Sequence, residues 1–162
     1  MMDKNITKAF SLLAEDILDL FHKVLASDVG INRKPMAKGE NTLKNSRLAQ
    51  TAQIQTDIPF YHLILNDYID DIENGRRIKA PLVPISDLRD WARRKGIPSD
   101  NKTLEIIQYL IWRDGIDGRP VMKTFFKMLD KEWNATYSKQ LFEAILHNLT
   151  QYFNQNGRNN FK

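Results

Sequence analysis

The sequence predicts a helix-rich α+β fold, and three observations carry that reading. Apolar residues recur at three- and four-residue steps through most of the chain, the pattern of helices with one buried face. One stretch, from Leu48 to Ile54, changes to a period of two and reads as a strand. Capping and turn residues divide the remainder, with Ser, Asp or Pro ahead of the apolar runs and Gly behind them. The expected architecture is a long N-terminal helix, a small antiparallel sheet and five further helices.

The first helix follows from Ile6, Phe10, Leu13, Ile17, Leu20 or Phe21, and Val24, which recur with charges between them over residues 6–27. Residues 31–40 carry Pro35, Gly39 and several charges and read as a loop. The strand is expected over residues 47–56. A single strand cannot satisfy its own backbone groups, so its partner must come from the preceding loop, from the Arg76 to Val83 segment, or from another copy of the chain.

Asp57 stands where a helix cap would, with Pro59 in the first turn, and Tyr61, Leu65, Tyr68 and Ile72 then share a face up to Gly75. A helix over residues 58–74 is expected. Pro81 and Pro84 hold the next stretch extended. Ser86 is expected to cap a short helix with Leu88, Trp91 and Ala92 inward, closed by Gly96. Ser99 or Asp100 caps the next, with Leu104, Ile107, Leu110 and Ile111 inward, ending at Gly115. Arg119-Pro120 opens another, with Phe125 and Leu129 inward and Met122 and Trp133 on the same inward side. The last begins at Ser138 and buries Leu141, Ile145, Leu149 and Tyr152 or Phe153.

The chain has 162 residues, 42% of them hydrophobic and 27% charged, the balance of a globular protein with one core. A single domain over residues 1–154 is expected, followed by a flexible polar arm over 155–162. Cysteine is absent, which excludes disulfides and thiolate metal sites. Residues 1–8 lack an apolar signal-peptide core, so synthesis in the cytoplasm is expected. The net charge of +4 permits contact with nucleic acid without implying it.

His22, His62 and His147 lie far apart with no second ligand at a metal-binding step, and read as surface or helix-face residues. Asp67, Asp70 and Asp71, with Glu73, fall at helical spacing on one face; that pattern is either a cation or acid–base site or a solvated face answering Arg76, Arg77 and Lys79. Arg89, Arg93, Arg94 and Lys95 surround Trp91 as a basic cluster. They suit phosphate contact or interfacial ion pairs, and no nucleic-acid-binding signature organises them. Trp91, Trp112 and Trp133 read as core, with Trp112 alternatively an anchor for a partner.

The run from Tyr68 to Pro120 is the most heavily punctuated part of the chain, and it supplies loops rather than the parts of an active site. Its words are Tyr68-Ile69-x-x-x-Glu73-x-Gly75-Arg76-Arg77, Pro81-x-x-Pro84, Leu88-x-x-Trp91-x-x-x-Lys95-Gly96, and Ile111-x-x-x-Gly115-Ile116-x-x-Arg119-Pro120. With Leu43-x-x-Ser46 and Pro59-Phe60-Tyr61 ahead of them, over about residues 41–130, the chain resembles the tail-completion, or head–tail joining, family of tailed bacteriophages. It departs in having Glu40-Asn41-Thr42 where the family usually has Thr-Gly, and Val121 where a Phe usually follows Arg-Pro.

The resemblance implies a non-enzymatic virion protein without cofactor, assembled in the host cytoplasm as a homo-oligomeric ring in the neck or upper tail. Its implied partners are portal, adaptor or tail proteins, and DNA that passes through the lumen without sequence specificity. The residues expected to touch a neighbouring subunit or ring are Arg76, Arg77, Lys79, Pro81, Pro84, Trp112, Asp114, Asp117 and Arg119. Possible phosphate contacts are Arg89, Arg93, Arg94 and Lys95. The alternative is a small basic accessory protein that binds nucleic acid.

Overall fold

A computed structural model describes residues 4–27 and 43–159. The loop expected over residues 31–40 and the last residues of the C-terminal arm lie outside them. The fold is helix-rich with two small antiparallel pairings, and it divides into two compact units, one of them residues 68–120 and the other the flanking segments.

In the flanking unit, helix α1 (Lys4–Ala26) buries Phe10, Leu13, Ala14, Ile17, Leu20, Phe21, Val24 and Leu25, the stripe expected from its periodicity. Phe21 meets Phe125 edge to face with ring centroids 5.3 Å apart. Helix α2 (Arg47–Thr51) follows, with the Ala49 N–H donating to the Ser46 side chain at 3.2 Å and Leu48 wholly buried. Strands β1 (Gln53–Asp57) and β2 (Phe60–Ile64) then form a hairpin in the register Gln53↔Ile64 to Asp57↔Phe60.

This differs from the sequence expectation twice. The strand begins at Gln53 rather than 47, because Leu48 and Ala52 are one helical turn apart and Ser46 caps that turn. Its partner is β2, which lies inside the expected helix 58–74. Tyr61, Leu65, Tyr68 and Ile72 fit a four-residue step, but Tyr61 and Leu63 also alternate with Phe60, His62 and Ile64, and the second period wins through the ladder with β1. Tyr61 stacks on Phe10 at 5.8 Å, and its hydroxyl donates to the Phe10 carbonyl at 3.3 Å. Burial pushes the Tyr61 phenol up to about 12.

Helices α6 (Val121–Glu132) and α7 (Ser138–Asn159) are joined by a π-helical turn, Trp133–Tyr137, closed by the Ser138 N–H on the Trp133 carbonyl. The expected break before Ser138 is thus one wide turn in a continuous helix, and the helix continues to Asn159. Val121 and Phe125 are buried; Tyr137 is buried too, and its hydroxyl donates to the Asp16 carbonyl at 3.4 Å. Trp133 and Leu149, expected inward, are exposed, as is Phe153.

The unit of residues 68–120 holds α3 (Ile69–Asn74), β3 (Gly75–Arg76), α4 (Ile85–Lys95), α5 (Asn101–Asp114) and β4 (Ile116–Asp117). Its core is Leu88, Ala92 and Leu104, with Val83, Ile85, Ile97, Ile107 and Ile111 packed around them. Gly96 ends α4 in the left-handed conformation, φ 67°, with its N–H on the last carbonyls, as expected. At the start of α4 the expected cap, Ser86, lies inside the first turn; Pro84 occupies the cap position and its carbonyl accepts from Asp87 and Leu88. Asp100 caps α5, accepting from the Thr103 N–H at 3.0 Å and its hydroxyl at 2.7 Å. Those bonds hold the Asp100 carboxyl below its ordinary value. Trp91 and Leu110, expected inward, are exposed.

Candidate interaction surface

Within the unit of residues 68–120, the two most punctuated words of the sequence meet. β3 and β4 pair antiparallel, Gly75 opposite Asp117 and Arg76 opposite Ile116. The contact extends beyond the ladder at both ends: the Arg119 N–H donates to the Ile72 carbonyl at 2.6 Å and the Lys79 N–H to the Trp112 carbonyl at 2.7 Å. Segments about forty residues apart in sequence are thereby clasped along eight residues each.

Glycine is required at the clasp. Gly75 has φ 71°, ψ −168°, a region that a side chain rarely enters, and an added Cβ would stand 2.1 Å from the Ile116 carbonyl oxygen and 2.5 Å from the Gly118 nitrogen. Across the pairing, a Cβ on Gly115 would meet the Arg76 oxygen at 2.6 Å. Every one of these neighbours is backbone, which cannot rotate away.

The clasp positions the expected contact residues. Arg76 is half-buried; its guanidinium donates to the Pro81 carbonyl and lies 3.8 Å from an Asp71 carboxylate oxygen. Asp71 therefore answers Arg76, in line with the solvated-face reading of the acidic group. Arg77 and Lys79 are exposed on the loop that follows, where Lys79 takes φ 60° and the Ala80 N–H closes a turn on the Arg77 carbonyl. Pro81 and Pro84 are exposed and frame Leu82 and Val83, and the Val83 carbonyl accepts from the Gln108 side chain at 2.7 Å.

On the other side of the clasp, Trp112 is half-buried against Tyr109, with ring centroids 5.9 Å apart. Asp114 is exposed and accepts two 2.7 Å hydrogen bonds from Arg113, which hold its carboxyl below the ordinary value. Asp117 is exposed in β4. Arg119 is half-buried, and burial lowers the pKa of its guanidinium.

The second candidate group lies on α4. Arg89 is half-buried and spans to the start of α5, donating to the Ser99 carbonyl at 2.9 Å and to Asn101 Oδ1 at 2.7 Å. It is a structural tie between two helices. Arg93, Arg94 and Lys95 are exposed in the last turn of α4, where positive charge suits the carbonyl end of a helix, and Arg93 lies 3.8 Å from Asp90.

The periodicity did not single out the apolar members of this surface. Ile78, Leu82 and Ile116 are exposed on or beside the clasp, interleaved with Arg77, Lys79 and Asp117. Their signal in the sequence is a large apolar residue inside a Gly- or Pro-bounded turn, where no buried face exists to explain it. On α5, Ile106, Tyr109 and Leu110 are exposed together.

In the flanking unit, α1, the hairpin and α6 enclose an apolar cleft of ≈ 460 Å³ lined by Ile17, Ile54, Tyr61, Leu63, Phe125 and Leu129 among others, with His62 at its wall. His22 is half-buried on α1, and His147 is exposed 3.0 Å from the Gln151 side chain. Among the described residues, no group of three or more His, Cys, Asp or Glu gathers as a metal site would require. No helix among them is long and apolar enough to cross a membrane. No protein-family model, curated protein or solved structure matches this chain.

Proposed function

We propose that this protein is a structural subunit of a ring in the neck or upper tail of a tailed bacteriophage, placed so that DNA passes through the ring. On this reading it is not an enzyme and uses no cofactor; it acts in the virion by binding copies of itself and the portal, adaptor or tail proteins beside it. The observation that supports this most directly is the glycine-locked clasp. It holds together two of the segments that carry the resemblance and leaves Ile78, Leu82 and Ile116 exposed beside Arg77 and Lys79. A rigid loop that displays apolar and charged side chains together is the composition of a protein contact: apolar area gives affinity and the charges give register.

The test is assembly. Negative-stain electron microscopy and sedimentation of the purified chain, alone and with candidate portal-side proteins, should show closed rings. The double variant Ile78→Asp, Leu82→Asp should leave the thermal transition in place and abolish those rings. A chain that stays monomeric with every such partner would overturn the reading.

The exposed Arg93, Arg94 and Lys95 favour one second reading, a nucleic-acid-binding accessory protein. Each phosphate neutralised would then add to the salt dependence of binding, and Arg93→Glu with Arg94→Glu would abolish retention on DNA at low salt. In the ring reading the same pair leaves assembly intact.

A further inference from the structure

The two ends of the segment 68–120 meet. The Arg119 N–H donates to the Ile72 carbonyl at 2.6 Å, which joins the first turn of the unit to its last residues, and the β3–β4 pair stands beside that bond. The interior is equally self-contained: Leu88, Ala92 and Leu104 are buried, and the five side chains packed against them, from Val83 to Ile111, all belong to the same unit. Ties also run across it. Lys79 N–H donates to the Trp112 carbonyl, the Gln108 side chain to the Val83 carbonyl, and Arg89 to the Ser99 carbonyl, so that the loop after β3, α4 and α5 are each bonded to another part of the unit.

That interior is small for its length. Of the five large side chains wholly buried among the described residues, four, Phe21, Leu25, Leu48 and Phe125, belong to the flanking unit and only Leu104 to this one. A segment of about fifty residues with so few buried side chains is marginal, because it removes too little apolar surface from water to offset the entropy of ordering its chain. Regions with few buried apolar contacts open first, and they open together where their elements are tied to one another.

We propose that residues 68–120 open and close as one cooperative unit while the flanking unit stays folded. The opening breaks the β3–β4 pair, the bonds at its ends and the α4–α5 ties in a single step, because no element of the unit can leave without breaking its bonds to the others. It acts as a gate on binding: Ile78 and Leu82 are held in one arrangement only while the Lys79 N–H rests on Trp112 and Gly75 faces Asp117. The opening belongs to the single chain and is read without any partner, so it stands or falls apart from the ring reading.

Native-state hydrogen exchange of the full-length protein, followed by mass spectrometry through low denaturant concentrations, tests it. Amides of α4, α5 and the clasp should converge on one common rate, roughly 10-fold or more above that of the slowest amides in α1. Leu104→Ala should raise that common rate by at least about 30-fold and leave α1 unchanged. Ile107→Val, a milder change in the same interior, should raise it roughly 2- to 10-fold, again with α1 unchanged. Phe21→Leu should accelerate α1 and leave α4 and α5 as they were. If α1 accelerates with α4 and α5 in Ile107→Val, if α4 and α5 exchange as slowly as α1, or if α4, α5 and the clasp keep separate rates, the proposal is overturned.

Discussion

Replacing Gly75 by alanine tests the clasp at the point where the structure leaves it least room. The new Cβ meets backbone atoms at 2.1, 2.5 and 2.9 Å, contributed by Ile116, Gly118 and Asp117. The strand pair must part or Gly75 must leave its conformation. Holding a non-glycine residue in that φ/ψ region costs about 1–3 kcal/mol, and each ladder hydrogen bond lost removes about 0.5–1.5 kcal/mol more. With two bonds lost the expected cost is about 2–6 kcal/mol, a large part of the ~5–15 kcal/mol that holds a domain folded.

Gly96 provides the control. It too has a positive φ, 67°, but nothing lies within 4 Å of its added Cβ, so Gly96→Ala should cost only about 1 kcal/mol. Hydrogen exchange read by mass spectrometry gives local resolution. For Gly75→Ala, amides in residues 72–79 and 112–119 should exchange roughly 100- to 1,000-fold faster, with α1 unchanged. If Gly75→Ala costs no more than Gly96→Ala and protection persists in both segments, the glycine-locked clasp is refuted.

Three further outcomes are expected. Asn148 is 5% exposed and its Nδ2 finds no hydrogen-bond partner among the described residues, so Asn148→Leu should stabilise the fold by about 1–2 kcal/mol in chemical denaturation; a loss instead would mean the amide is satisfied. Burial pushes the Tyr61 phenol up from 10.0 to about 12, so the folded state favours the protonated phenol and the stability tied to it falls as pH rises from 10 towards 12; ultraviolet titration of Tyr61→Phe should lack the highest-pH tyrosinate step, and an unchanged curve would contradict the burial. Asp100 has its carboxyl held below the ordinary 3.8, so its contribution is present above that pH and lost as pH falls through the lowered value; Asp100→Asn should melt earlier at neutral pH and show a shallower acid dependence than the wild type, and parallel curves would exclude the cap as the source.

The helices legible in the sequence were those fixed by local chemistry. Eight buried residues in α1 repeat one face, Asp100 and Thr103 close a cap within four residues, and Gly96 stops α4 by its own backbone freedom. β2 was not legible, because Tyr61 belongs equally to a four-residue and a two-residue period and only the distant β1 decides between them. The clasp is the same case at longer range: its glycines stand out in the sequence, but their partners lie about forty residues away. Arg89 read as one of a basic cluster, yet its bonds to Ser99 and Asn101 depend on how α4 meets α5. On α7 two apolar faces coexist, and periodicity alone does not say which of them turns inward; hence Leu149 and Phe153 were expected in the core.

The π-helical turn at Trp133–Tyr137 sets which side of α7 the core receives. Such a turn accommodates one residue more than an α-helical one, which advances everything beyond it by about 100° around the axis. Removing Ala135 from the wide turn would restore ordinary helical winding and, because the chain is then one residue shorter, leave Leu141, Ile145 and Asn148 facing α1; winding all five residues as α-helix would instead carry that face about 100° away. The five residues from Trp133 to Tyr137 thus act as a phase setting: they contribute one buried side chain, Tyr137, and govern the facing of some twenty residues downstream.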